Sequence, residues 1–168
     1  MTSFINYCII ERARREVVLF VMIIDVLKLK QEGKTSAEFD FEYNPSQNLI
    51  LSLPEGSFCG PVKVNAYVEL EGKDVYADVE ITYLISCLCS RCLEDAKAEI
   101  NYSYSAKYSL FEEEDCYLYK SGKVDLTSSV NEAIIVSQPT VVYCKEDCKG
   151  LCPVCGANLN EGDCGHGN

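Results

Sequence analysis

Val62-Lys-Val-Asn-Ala-Tyr-Val-Glu-Leu70 and Val75-Tyr-Ala-Asp-Val-Glu-Ile-Thr-Tyr83, joined through Glu71-Gly72-Lys73-Asp74, decide the fold. In the first run Val62, Val64, Ala66, Val68 and Leu70 face one way, and Lys63, Asn65, Tyr67 and Glu69 face the other. Period-two alternation of this kind belongs to a strand with one buried face. Gly72 sits where a short hairpin connection needs it. Val75, Ala77, Val79, Ile81 and Tyr83 then form the apolar face of the return strand. The chain turns through Cys87 to Cys92 and leaves on a third alternating run, Ala96, Ala98, Ile100, Tyr102, Tyr104, Ala106 and Tyr108. Three long antiparallel strands in succession make a β-meander.

Outward from this meander the elements are shorter. Phe39-Asp-Phe-Glu-Tyr43 alternates as a strand, Asn44-Pro45-Ser46 is a turn, and Leu49 to Leu53 is a second apolar run stopped by Pro54-Glu-Gly56. Met22 to Leu29 reads as a short apolar strand. Phe111-Glu-Glu-Glu-Asp115 ends the meander as a solvated acidic loop, with a docking patch for a basic protein as the functional alternative. Asp125 to Ser137 reads as the one main helix, with Asp125 as N-cap and Leu126, Val130, Ala133 and Ile134 on its core face. Ser129-x-x-Glu132 offers a later capping box instead. Pro139 ends the helix by pushing Gln138 out of the αR region. The fold class is therefore α+β and β-rich: an antiparallel sheet, with closure into a barrel-like form left open by the pattern, one main helix and a C-terminal zinc-knuckle tail. The domain reading is an N-terminal extension over 1–21, a β-rich domain over 22–143 and a metal-binding tail over 144–168.

The tail carries the chemistry. Five of the eleven cysteines and the only histidine lie between Cys144 and His166. Cys152-Pro-Val-Cys155-Gly156 has the form of a zinc knuckle, in which two thiolates reach one ion from a tight turn closed by a residue of positive φ. Cys164 and His166 supply a second close pair. The close pairs are Cys89 with Cys92, Cys144 with Cys148, Cys152 with Cys155, and Cys164 with His166, enough for two tetrahedral sites. The economical partition joins the last two pairs locally as a Cys₃His site and brings Cys89 and Cys92 to Cys144 and Cys148. A zinc ribbon pairing Cys89/Cys92 with Cys152/Cys155 is the rival, and Cys87 is near enough to Cys89 to replace a ligand. Cys8, Cys59, Cys87 and Cys116 remain as free thiols. Buried or surplus thiols explain single cysteines, but clustering at this spacing indicates one or two structural zinc ions. With four protein ligands no position stays open for water, so the sites are structural.

The string Cys-Lys-Gly-Leu-Cys-Pro-Val-Cys-Gly-Ala-Asn-Leu-Asn from Cys148 to Asn160, preceded by Cys144, resembles the C-terminal signature of the YceD-like family, also called large ribosomal RNA subunit accumulation proteins. Cys89-Ser-Arg-Cys92-Leu93 and Asp125-Leu126-Thr127 match two further motifs of that family. The resemblance runs from about Met22 to the C-terminus. Members with this tail tend to end Cys-x-Cys, whereas this chain reads Cys164-Gly165-His166. The resemblance implies a role in accumulation of large-subunit ribosomal RNA, and family genes often lie beside that of a small basic ribosomal protein.

Composition bears on mechanism. The 168 residues carry 26 acids against 15 bases, a net charge of −11. Holding a phosphate backbone requires Lys and Arg to release its counterions, so this balance opposes broad RNA binding and suits a basic ribosomal or ribosome-assembly protein as partner. CxxC and CxxxC spacings without an export signal indicate metal in a reducing cytoplasm. Arg12, Arg14 and Arg15 before Val17 to Ile24 mimic a signal peptide, but Asp25 and Lys28 interrupt the apolar run and no small-x-small site follows. Eight apolar residues also fall short of the roughly 20 that a membrane span needs. Met22 is the expected start; without the residues before it, 12 bases face 24 acids, a net charge of −12. The competing functions are a nucleic-acid-binding zinc ribbon, using Arg91, Lys145 and Lys149, and a thiol-disulfide oxidoreductase using Cys89-x-x-Cys92. The second lacks the βαβ setting of such motifs. No nucleophile triad, phosphate loop or carboxylate pair suggests catalysis.

Overall fold

The computed structural model describes residues 22–166; the reading of Met1 to Val21 as an extension, and of Cys8 as a free thiol, lies outside the described residues. The elements in chain order are β1 (Ile23–Asp25), α1 (Val26–Gln31), β2 (Ser36–Tyr43), β3 (Ser57–Phe58), β4 (Val62–Glu71), β5 (Asp74–Leu88), β6 (Asp95–Ser109), β7 (Cys116–Leu118), β8 (Lys123–Asp125) and α2 (Thr127–Ser137). The main sheet runs β2-β4-β5-β6-β7, with β3 paired to β5. Its edges stay unjoined among the described residues, so the sheet is open and does not close into a barrel. The three long strands pair antiparallel in the register the alternation predicts, Val64 opposite Ile81 and Ile81 opposite Tyr102. Gly72, at φ +62°, is the first central residue of the two-residue hairpin between Glu71 and Asp74.

The alternation sets the layers. Val62, Val64, Ala66 and Val68 of β4 are buried with Val75 through Ile85 at alternate positions of β5, and Leu126 with Val130, Ala133 and Ile134 of α2 joins the same core. The small pair β1–β8 and α1 add Met22, Ile24, Val26 and Val124 to the same core.

Tyrosine hydroxyls fasten this helix to the sheet. Tyr43 donates to Asn131 at 2.9 Å and Tyr117 to Glu132 at 2.6 Å. Tyr83 lies 2.8 Å from the Ser137 hydroxyl, and Tyr104 and Tyr108 meet at Ser129, at 2.9 and 2.7 Å. Burial pushes the Tyr104 phenol up to about 12, so it stays a neutral partner at physiological pH. Ser129→Ala leaves the buried Tyr108 hydroxyl without its partner, an expected cost of roughly 1–3 kcal/mol, read as a lower urea midpoint. Adding Tyr108→Phe recovers part of that loss.

The structure corrects the reading of Met22 to Leu29 and refines three others. Met22 to Leu29 is not one strand: Ile23–Asp25 pairs with β8, then Asp25 accepts a hydrogen bond from the Lys28 amide at 2.9 Å and caps α1. The apolar run hid a helix because Val26 and Leu29 are buried three apart while Leu27 is 54% exposed. Leu49 to Leu53 forms no strand, because the Gln138 side chain satisfies its backbone, donating to Leu49 O at 2.6 Å and accepting from Leu51 N at 2.9 Å. The main helix starts at Thr127, with the Asp125 carboxylate holding the Thr127 amide at 2.9 Å. The later capping box is absent, since Ser129 turns its hydroxyl to Leu126 O and the tyrosines. Gln138 is extended at ψ 130° before Pro139, as expected.

Candidate metal centres

The 15 residues of β5 carry the chain from the hairpin to a tight turn at Cys89 to Glu94. Cys89 N donates to Glu94 O at 2.7 Å and Leu93 N to Cys89 O at 3.0 Å, with Leu93 at φ +62°. This turn presents Cys89 and Cys92. The segment leaving α2 is laid against it by Ser90, whose amide donates to Val142 O at 2.8 Å and whose hydroxyl accepts from Val142 N at 3.1 Å. Two residues on is Cys144; a turn with Cys148 N on Lys145 O at 3.2 Å then brings Cys148 back.

Each knuckle sulfur meets a tail sulfur: Cys89 Sγ to Cys148 Sγ is 3.8 Å and Cys92 Sγ to Cys144 Sγ is 3.5 Å. A tetrahedral thiolate site with metal–sulfur bonds near 2.3 Å spaces its sulfurs about 3.8 Å apart. A disulfide needs about 2.05 Å. The four sulfurs all lie within 4.8 Å of one another, so the donor set has the dimensions of a metal site. Cys152, Cys155, Cys164 and His166 form a second group within the same limit. There Cys152 N donates to Ala157 O and Gly156 N to Cys152 O, both at 2.8 Å, with Gly156 at φ +73°. Asp163 accepts from Gly165 N at 2.8 Å, and that turn sets Cys164 and His166 toward the knuckle.

The groups differ in exposure. Cys89, Cys92 and Cys148 are buried, whereas Cys155 and His166 are exposed. Burial works against ionising Cys89, but backbone amides of Cys92, Arg91 and Cys144 outweigh it and bring the thiol down to about 6. Hydrogen bonding to Cys92, then burial, pushes Cys144 up to about 12. Cys152 falls to about 7 through the Cys155 and Val154 amides. The donor sets thus contain thiolates ready to bind a cation, paired with thiols whose protons a metal ion would displace.

The two CxxC pairs do not share a group. Cys87, the suggested substitute ligand, is buried on the core face of β5 and is not among the four; burial pushes its thiol up. Cys59 is exposed and Cys116 half-buried, both free.

Sequence reasoning missed the residues that hold the groups together. Arg91 is not a loose basic side chain: it donates to Cys148 O at 3.0 Å and lies over the Tyr143 ring at 4.2 Å. Its carbonyl accepts from Leu151 N at 3.2 Å. Gly150, at φ +76°, passes so close that an added Cβ would sit 3.1 Å from Arg91 O. Asn160 donates to Cys148 Sγ at 3.4 Å. A glycine between two cysteine pairs was the one legible hint.

The family model described as large ribosomal RNA subunit accumulation protein YceD matches residues 77–168. That span includes most of β5, both cysteine groups and α2. An uncharacterised protein of Mycobacterium leprae is 29% identical over 107 residues, 59% of this chain, and the chain spans about half of that relative's length (49%). The YlbN protein of Bacillus subtilis is 27% identical over 136 residues, 76% of this chain and 77% of that protein. No solved structure gives a significant match to the chain.

Proposed function

This chain belongs to the YceD family of large ribosomal RNA subunit accumulation proteins, and from that premise we propose that it is a non-enzymatic ribosome-biogenesis accessory protein that acts by holding a basic protein partner. Family membership supports the ribosome-biogenesis role. The observation that carries the choice of a protein partner is the open face of the sheet, opposite α2. Neighbouring strands set Glu38, Tyr67, Asp78 and Ser105 in one row and Asp40, Asn65, Glu80 and Ser103 in the next. These rows hold carboxylates and neutral polar groups and no lysine or arginine. The lysines of this face flank these rows: Lys63 stands beside Glu42 in the following row, Lys97 lies near the start of β6, and Lys107, at the other edge, is already taken by Asp74 at 3.1 Å and Glu113 at 2.7 Å. A phosphate backbone finds no cation in such rows, whereas lysines and arginines of a partner find acceptors.

Zinc is the proposed ion for both cysteine groups, because four sulfur or nitrogen donors in a closed set suit a structural tetrahedral site. Its role is to fix the tail to the end of β5 and α2, with no step of chemistry at the metal. A redox role for Cys89 and Cys92 has no support in a buried turn where each sulfur faces a tail cysteine.

The test is affinity purification before and after nuclease treatment, with bound proteins and RNA identified. A basic ribosomal or assembly protein retained after nuclease is the expected result. Its affinity should fall about tenfold or more between 50 and 200 mM salt, since screening shortens to roughly 10 Å at 0.1 M. Charge removal at Glu38, Asp40, Asp78 and Glu80 should weaken binding more than the same change at Glu112, Glu114 and Asp115. Tight binding to naked large-subunit RNA, lost on replacing Lys145 and Lys149, overturns the reading in favour of an RNA-binding module. Arg91 is left out of that test because it braces the tail.

A further inference from the structure

We infer that Asn160 couples the two metal centres: held in the loop that the second centre closes, it donates its side-chain amide to the Cys148 sulfur of the first. The inference rests on the metal reading above and adds a positioning residue and a linkage to it. Asn160 lies in the chain between Cys155 and Cys164, ligands of the second group, yet its side chain reaches to the first. Nδ2 is 3.4 Å from Cys148 Sγ, and Oδ1 accepts from Lys149 N at 2.9 Å. The orientation of the amide is not interchangeable. The Lys149 N–H can only donate, so the atom facing it is oxygen and the atom facing sulfur is the NH₂. Asn158 Oδ1 fixes the same arrangement by accepting both Asn160 Nδ2 at 2.9 Å and Asn160 N at 3.0 Å.

The consequence follows from charge. Four thiolates around a divalent ion leave a net charge of −2, and in the first centre three of the four cysteines are buried, out of reach of water. The Asn160 N–H aimed at Cys148 adds a side-chain donor to the backbone amides that face these sulfurs, and such outer partners typically matter 10–100-fold in metal affinity. A filled second centre pins both ends of the Cys155–Cys164 loop and so keeps Asn160 in place. Linkage is reciprocal: whatever the second ion adds to the first, the first adds to the second.

The test uses the full chain, loaded with zinc or with cobalt as a spectroscopic probe, and a competing chelator to rank the two affinities. Asn160→Ala should weaken the first centre about tenfold or more, with the far-UV spectrum of the sheet unchanged. Asn160→Asp keeps the acceptor for Lys149 but turns a carboxylate toward sulfur. It should weaken the first centre at least as much; because it also loses the bond to Asn158 Oδ1, Asn158→Ala is the control for loop shape and should weaken the first centre less. Cys155→Ser should weaken the first centre too, and should do so far less when Asn160 is already alanine. Metal bound normally with the first affinity unchanged in Asn160→Ala, or an undiminished Cys155→Ser effect in that background, overturns the coupling alone. Wild-type protein without stoichiometric metal overturns the metal reading and the coupling with it.

Discussion

Replacing Cys89 with serine should take the metal content from two ions to one and lower the thermal midpoint by roughly 10 °C. The first centre ties the end of β5 to the segment leaving α2, across 52 and 59 residues of chain. Its loss leaves buried thiols without a counter-charge and frees the tail from the sheet. Loss of a structural metal belongs among the few changes expected to exceed about 4 kcal/mol. At about 2–4 °C per kcal/mol for a chain of this size, that sets the expected shift. Cys155→Ser should also lose one ion but lower the midpoint far less, only by what a weakened first centre costs, because the second group draws all its ligands from the tail. Metal analysis with calorimetry separates the cases. If either substitution removes the same single ion, the two knuckles share one site and the partition is wrong.

Gly150→Ala should be the most damaging single methyl in the tail. Gly150 adopts φ +76°, and its new Cβ would meet the Arg91 carbonyl at 3.1 Å. Alanine is strained at positive φ by about 1–3 kcal/mol, and the neighbour here is backbone that cannot swing aside. Arg91 sits between Cys89 and Cys92, and Gly150 between Cys148 and Cys152, so the displacement reaches ligands of both centres. The expected readout is weaker metal retention at both sites against a chelator. Gly162→Ala, where φ is ordinary and a Cβ meets nothing within 4 Å, is the control and should be neutral. Equal retention in the two variants would show that the close approach is dispensable.

The long strands were legible because alternation over ten or more residues leaves only one face to bury, and Val62 to Tyr83 could not be read otherwise. The short elements were not. Val26 to Gln31 holds two buried residues, too few to distinguish helical from strand spacing, and Cys116–Leu118 has three residues in a parallel pairing that no local pattern announces. The cysteine pairs were legible from spacing, since residues a turn apart reach one ion wherever the chain lies. Their supports were not, because the roles of Arg91 and Asn160 depend on contacts 57 and 12 residues away. Arg91, read as surface charge, is exposed yet braced on the Tyr143 ring and the Cys148 carbonyl, so it also holds the tail in place.

The order of these parts along the chain also bears on rates. Every long strand precedes Cys144, and Cys144 reaches the Cys89–Cys92 turn only when α2 has docked and Val142 has bonded to Ser90. We expect the first centre to close late, after the barrier to forming the sheet has been crossed. Interactions absent from the transition state leave folding speed alone and slow unfolding. Metal-stripped and metal-loaded protein should refold from denaturant with nearly the same time constant and differ widely in how long they take to come apart. An ion bound there would act as a latch on the lifetime of the fold.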